Sequence, residues 1–176
     1  MVGALSLLFV GNLLVHLDAL ALADTAELGD RIGIATVLML ISLVGGRIIP
    51  SFTHNWLVKF RPEVVPPPSE GRFDRLVLAG TAVALAVWTV APEAMATPWV
   101  LAAAGTAIAL RLSRWRGLHT GQEALLLMLH IGYAWLPLGL LLLGLNGIFE
   151  IIPPAAALHA LTVGTIGTMT LAVMTR

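Results

Sequence analysis

Cysteine is absent from the 176-residue chain. That excludes disulfides, thiolate metal sites, cysteine nucleophiles and cysteine-held iron–sulfur clusters. Only His, Met, carboxylates or Tyr remain to hold a metal or a haem. Charge is scarce as well. Asp, Glu, Lys and Arg make up 11% of the residues, and ten basic against ten acidic side chains leave no net field to attract nucleic acid or acidic substrates. No Walker loop, HExxH, nucleophile elbow or GxGxxG occurs, so nothing points to a hydrolase or a nucleotide enzyme. No internal repeat stands out either. What is abundant is apolar surface: 58% of the residues are hydrophobic and the mean hydropathy is +0.91. A soluble domain of this size cannot hide so much, and the excess must face lipid.

About six stretches meet the requirement of ~20 mostly apolar residues for a membrane-spanning helix. They are Val2 to Ala23, Ile32 to Ile49, Leu76 to Ala91, Trp99 to Leu112, Ala124 to Leu145 and Ala155 to Val173. The expected fold is therefore all-α, a single polytopic membrane helix bundle over residues 1–176. The third and fourth spans are short and call for Trp88 and Trp99 near the interface. The breaks carry turn chemistry: VVPPPSEG from Val64 to Gly71, Pro92 and Pro98, Asn146-Gly147, and Pro153-Pro154. Basic residues set the orientation. Arg47, Lys59, Arg61, Arg72, Arg75, Arg111, Arg114, Arg116 and Arg176 fall at one side, with Trp56 and Trp115 as a belt beside them. Arg31 alone falls at the other, among Asp24, Glu27, Asp30, Glu93 and Glu150. Both ends of the bundle are expected in the cytoplasm. Ala21-Leu22-Ala23 resembles a signal cleavage site, but no basic segment precedes it and Asn12, His16 and Asp18 interrupt the apolar run, so a retained helix is expected.

Ionisable groups inside a bilayer are costly and need a partner or a task. His16, His130 and His159 lie within spans. At the rise of an α-helix, His16 and His159 sit about 10 Å and about 6 Å below the outer ends of their spans, and His130 about 9 Å from an inner end. His16 and His159 are thus the best pair for one site, whether bis-His haem, copper or a proton relay, and His130 could hold a second metal. The alternative is a set of hydrogen-bonded bundle histidines, with Asn12 serving His16 and Thr162 serving His159. His54 and His119 read as solvated loop residues. Arg47, in Gly45-Gly46-Arg47-Ile48-Ile49-Pro50, has the fixed charge and donors to bind a carboxylate or a haem propionate, or else snorkels to set topology. Gly and Thr recurring from Gly164 to Thr170 suit close helix packing, and Met169 packs too far along the axis to share a site with His159. Pro137 should kink the fifth span, and Trp135 packs inside it or lines a cavity.

GGRIIPSFTHNWL (Gly45 to Leu57) and HALTVGTIGTMTLAVMTR (His159 to Arg176) resemble the NnrS family of bacterial inner-membrane proteins. NLLVHL around His16 and LHIGYAWLPLGLLLLG from Leu129 to Gly144 agree in character, so the resemblance covers nearly the whole chain. It implies a haem- and copper-containing protein of nitric oxide metabolism and denitrification, in the bacterial inner membrane. It makes His16, His130 and His159 ligand candidates, and Gly46, Arg47, Pro50 and Asn55 motif positions. Family members have about twice as many spans, carry an amino-terminal His–Glu motif and continue past MTR, and often have Arg where this chain has His54. The chain is accordingly expected to be a fragment of a longer bundle, completed by a missing half or by another copy. Two rival classes stand beside this expectation. A transporter or channel subunit would show paired broken helices at mid-membrane, yet Pro137 has no counterpart and the third and fourth spans have apolar cores. A structural subunit would use its histidines only for hydrogen bonds.

Overall fold

Pro50 does not end the second helix. In the computed structural model, which describes residues 2–150 and 152–175, that helix runs unbroken from Ala26 to Phe60, through the whole GGRIIPSFTHNWL segment. The elements in order are α1 (Val2–Ala19), α2 (Ala26–Phe60), α3 (Arg72–Val90), α4 (Thr97–Ser113), a 3-10 turn (Gly117–Thr120), α5 (Ala124–Phe149) and α6 (Pro154–His159). α6 passes directly into a π-helical segment (Ala160–Gly167) and then α7 (Thr168–Met174). Among the described residues there is no strand. Arg176, counted above among the basic residues, lies outside them, as does Met1.

Among the described residues, five helical stretches are long and apolar enough to cross a membrane: Val2–Ala19, Ala26–Phe60, Arg72–Val90, Ala124–Phe149 and Ala155–Met174. α4 is shorter, with 17 residues. α2, with 35 residues, is about 52 Å long at 1.5 Å per residue. That exceeds a hydrocarbon core of about 30 Å, so the segment expected to be loop beyond Ile49 is an extension of the same rod. A proline inside a helix leaves one carbonyl, four residues back, without its amide partner. The helix tolerates this when another donor takes that carbonyl.

α5 is the central element, packed against α4, α2 and the α6–α7 rod, while α3 closes the bundle against α2 and α4. Leu38, Ile49, Ala84, Ile108, Leu136, Leu140 and Leu161 form the core between them. Trp88 and Trp115 are buried in this core, whereas Trp99 is exposed. Trp135 lies over Gly164 with its other side exposed. Met169 is buried against Gly132 and Gly45.

α1 is peripheral and makes its extensive contact with α2 alone. Gly11 and Gly29 meet there so closely that a Cβ on Gly29 would lie 2.6 Å from the Gly11 carbonyl oxygen. Small residues let two backbones approach in this way in lipid, where packing rather than the hydrophobic effect holds helices together. The connection is pinned by Asp18. Its Oδ2 accepts from the Thr25 and Ala26 amides at 2.9 and 3.1 Å, satisfying donors at the start of α2. This is the task that justifies a carboxylate in an apolar run.

Candidate functional site

The glycine pair and the proline of α2 face a buried arginine. Arg111, near the end of α4, is fully buried, although it was expected to be a loop residue that sets topology. Its Nε donates to Asp74 Oδ1 of α3 at 3.1 Å. Nη1 donates to the Ser42 carbonyl at 3.3 Å and to the Tyr133 hydroxyl at 3.4 Å, and Nη2 to the Gly46 carbonyl at 3.4 Å. Gly46 is four residues before Pro50, so its carbonyl is the one that the proline releases. The guanidinium takes it. A Cβ on Gly46 would stand 2.5 Å from Arg111 Nη1, and one on Gly45 3.1 Å from the Tyr133 ring. The Gly-Gly step therefore makes room for the two side chains, and Pro50 supplies the acceptor.

The rest of the network is equally closed. Asp74 Oδ2 accepts from the Gly71 amide at 3.1 Å and lies 3.8 Å from Arg114 Nη1. The Arg114 guanidinium stacks on Phe73 at 4.6 Å. The Tyr133 hydroxyl is 3.4 Å from Ser42 Oγ, its ring packs on Trp115 with centroids 4.7 Å apart, and Arg111 lies 5.3 Å from the centre of the Trp115 ring. One cation thus joins α2, α3, α4 and α5. The ion pair joins α3 and α4 at their ends, since Asp74 precedes the expected third span and Arg111 closes the expected fourth, and the cores of both spans remain uncharged. A cleft of about 300 Å³ reaches Asp74 from outside, lined by Ser51, His54, Asn55 and Ser69 together with Pro50, Pro67 and Trp115.

Arg47 does not join this network. Its side chain is exposed and its Nε lies 3.5 Å from Glu70 Oε1 at the edge of that cleft, drawing the proline loop towards α2. Such an exposed pair contributes little stability.

The three span histidines sit in three different settings. His130 is buried, with Nδ1 2.9 Å from the Leu126 carbonyl and Nε2 3.4 Å from Thr53 Oγ1. A carbonyl only accepts, so Nδ1 carries the proton. The Thr53 hydroxyl directs its own proton to the Ile49 carbonyl at 2.8 Å. Gly117 closes over the ring, with space for no side chain: a Cβ there would be 2.5 Å from His130 Cδ2. Nδ1 of His130 is thus engaged by the Leu126 carbonyl, while Nε2, an acceptor that receives no proton from Thr53, is packed against Thr53 and Gly117 inside the bundle.

His159 is exposed, and its Nδ1 bonds the Ala155 carbonyl at 2.6 Å. Thr162, the expected partner, instead bonds the Leu158 carbonyl. His16 is exposed on α1 and makes no side-chain hydrogen bond among the described residues, to Asn12 or to any other. With the proton of His159 on Nδ1, its Nε2 lone pair is free, the arrangement by which a backbone carbonyl orients a ligating imidazole. Of the three span histidines, His16 and His159 are therefore the ones whose ring nitrogens are exposed to a metal or haem. They do not enclose one: among the described residues no three of His, Asp and Glu gather as a metal site would need.

A family model described as NnrS protein matches residues 1–176. The chain belongs to the NnrS family. Neither a curated protein nor a solved structure matches it. Membership in NnrS and the apolar helices together make it a membrane protein. The Arg111 network went unnoticed in the sequence because Asp74 and Arg111 each lie within a turn of a helix end, where charge normally snorkels. A usable signal was present in Gly45-Gly46 with Pro50: a released carbonyl inside an apolar bundle calls for a donor.

Proposed function

We propose that this NnrS-family protein acts in the nitric oxide response of denitrifying bacteria, as a multi-pass protein of the inner membrane with haem and copper as its cofactors. The family match over the whole chain carries this reading. In it, α4 makes a sixth span beside α5, and both ends of the single bundle face the cytoplasm. Support for the orientation comes from the ion pairs of Arg47, Arg111 and Arg114, which gather with Glu70 and Asp74 where the start of α3 and the end of α4 meet the middle of α2.

Of the candidate ligands, His16 and His159 would hold the cofactors, since their ring nitrogens are exposed, while His130 is packed inside the bundle and Arg47 is held by Glu70 at its surface. A haem, if bound there, would supply an iron centre able to bind nitric oxide. The exposed imidazoles need donors from another protein surface to complete a closed site, either a further part of the bundle or a second copy. The π-helical segment that follows His159 immediately fits a functional position, because such segments cluster at sites in helices.

The test is an absorption spectrum of the detergent-purified protein with iron and copper analysis. A Soret band that shifts with nitric oxide, weakens in His16→Ala or His159→Ala and survives in His130→Gln is expected. A folded, haem-supplemented preparation without Soret absorbance overturns the cofactor reading.

A further inference from the structure

A second cavity, of about 570 Å³, lies between α4 and α5 and has no part in the Arg111 network. The two helices touch backbone to backbone at Gly105, where a Cβ would stand 3.0 Å from the Pro137 carbonyl oxygen. Towards the Ser113 end a groove lies between them, walled by Leu112, Leu127, Ala134, Leu138 and Leu141. From Leu127 to Leu141 the groove follows α5 for about 21 Å. That exceeds the hydrocarbon of one leaflet, roughly 15 Å.

The mouth is of different character. Ser113, Arg116 and His119 rim it. Arg116 is exposed, has a left-handed backbone with φ 58°, and makes no ion pair among the described residues. Beside it in the 3-10 turn, Leu118 is 98% exposed. A bare leucine between an unpaired arginine and a histidine is unfavourable in water, and favourable where headgroups meet acyl chains.

We propose that this groove binds one anionic phospholipid. Its phosphate rests at Arg116, Ser113 and His119, and an acyl chain follows α5 towards Leu141. A soluble anion would use the mouth and leave the apolar length unfilled. A zwitterionic lipid would fill the length without the net attraction to Arg116.

The test uses the full chain, delipidated in a nonionic detergent, with native mass spectrometry after adding phosphatidylglycerol or phosphatidylcholine. One phosphatidylglycerol should be retained, roughly fivefold in preference to phosphatidylcholine. Arg116→Asn suits the left-handed backbone and should abolish the preference, whereas Arg116→Lys should keep most of it. Ala134→Phe, which fills the groove, should reduce retention of both lipids. Helicity by circular dichroism keeps misfolded variants out of the comparison. Equal retention of the two lipids by the unmodified chain, retention of neither, an unchanged preference in Arg116→Asn, or displacement of the lipid by millimolar inorganic phosphate would each overturn the proposal.

Discussion

At the scale of residues, Arg111 is the most consequential side chain in the bundle. A buried ion pair is not in itself evidence of stability, because desolvation offsets its attraction, but removing one partner strands the other. Arg111→Met leaves Asp74 with only the Gly71 amide and the more distant Arg114. It should destabilise the protein by about 3–5 kcal/mol, read as a fall in melting temperature in detergent. Arg111→Met combined with Asp74→Leu should recover part of that loss; no recovery would mean that the arginine acts through the α2 carbonyls alone. Gly46→Ala tests the same site sterically. The guanidinium cannot swing away from a new methyl without giving up its partners, so a loss of about 1–3 kcal/mol is expected. A melting temperature equal to that of the unmodified protein would rule out so tight an approach.

At the scale of elements, α2 shows what could and could not be read from sequence. Its apolar core was legible from hydropathy. Its continuation past Pro50 was not, because a proline after an apolar run usually marks an end, and the residue that makes it tolerable is 61 positions away, as Arg111 is from Pro50. The histidines divide in the same way. Their presence within helices was legible, but whether a ring nitrogen is free depends on the Leu126 carbonyl and Thr53 around His130, which spacing does not reveal. The π-helical segment after His159 likewise has no signature in its Gly and Thr pattern. If Pro50 and Arg111 are coupled through the Gly46 carbonyl, their substitutions must be non-additive. Pro50→Ala restores an amide to the helix ladder, and in a background lacking Arg111 this should stabilise fully. With Arg111 present, the new amide competes with the guanidinium. A double-mutant cycle on melting free energies should show a coupling of about 0.5–3 kcal/mol. Additivity within error would separate the proline from the arginine.

At the scale of the whole molecule, the open quantity is which end faces the cytoplasm, and the absence of cysteine makes it measurable. A single introduced cysteine is the only thiol, so labelling reports one position. Glu93 lies in the short connection between α3 and α4 and Leu118 in the turn between α4 and α5, at opposite ends of α4. Leu118 is 98% exposed and Glu93 is also exposed; Leu118 sits at headgroup level, where a polar maleimide still reaches a thiol from the adjoining water, so a cysteine at either position is reachable without unfolding. In the orientation proposed from charge bias, the Arg114–Arg116 end lies inside. With a membrane-impermeant maleimide on intact spheroplasts, Glu93→Cys should label and Leu118→Cys should not, and permeabilisation should equalise the two. The reverse pattern would invert the bundle. It would put the exposed imidazole of His159, which lies at the same end of α5 as Glu150, on the cytoplasmic side. Labelling of both positions before permeabilisation would mean that α4, with its 17 residues, does not cross. At about 25 Å it is short of a hydrocarbon core of about 30 Å by an amount that local thinning can absorb. For that reason the expected result is a crossing, with Glu93 outside and Leu118 inside.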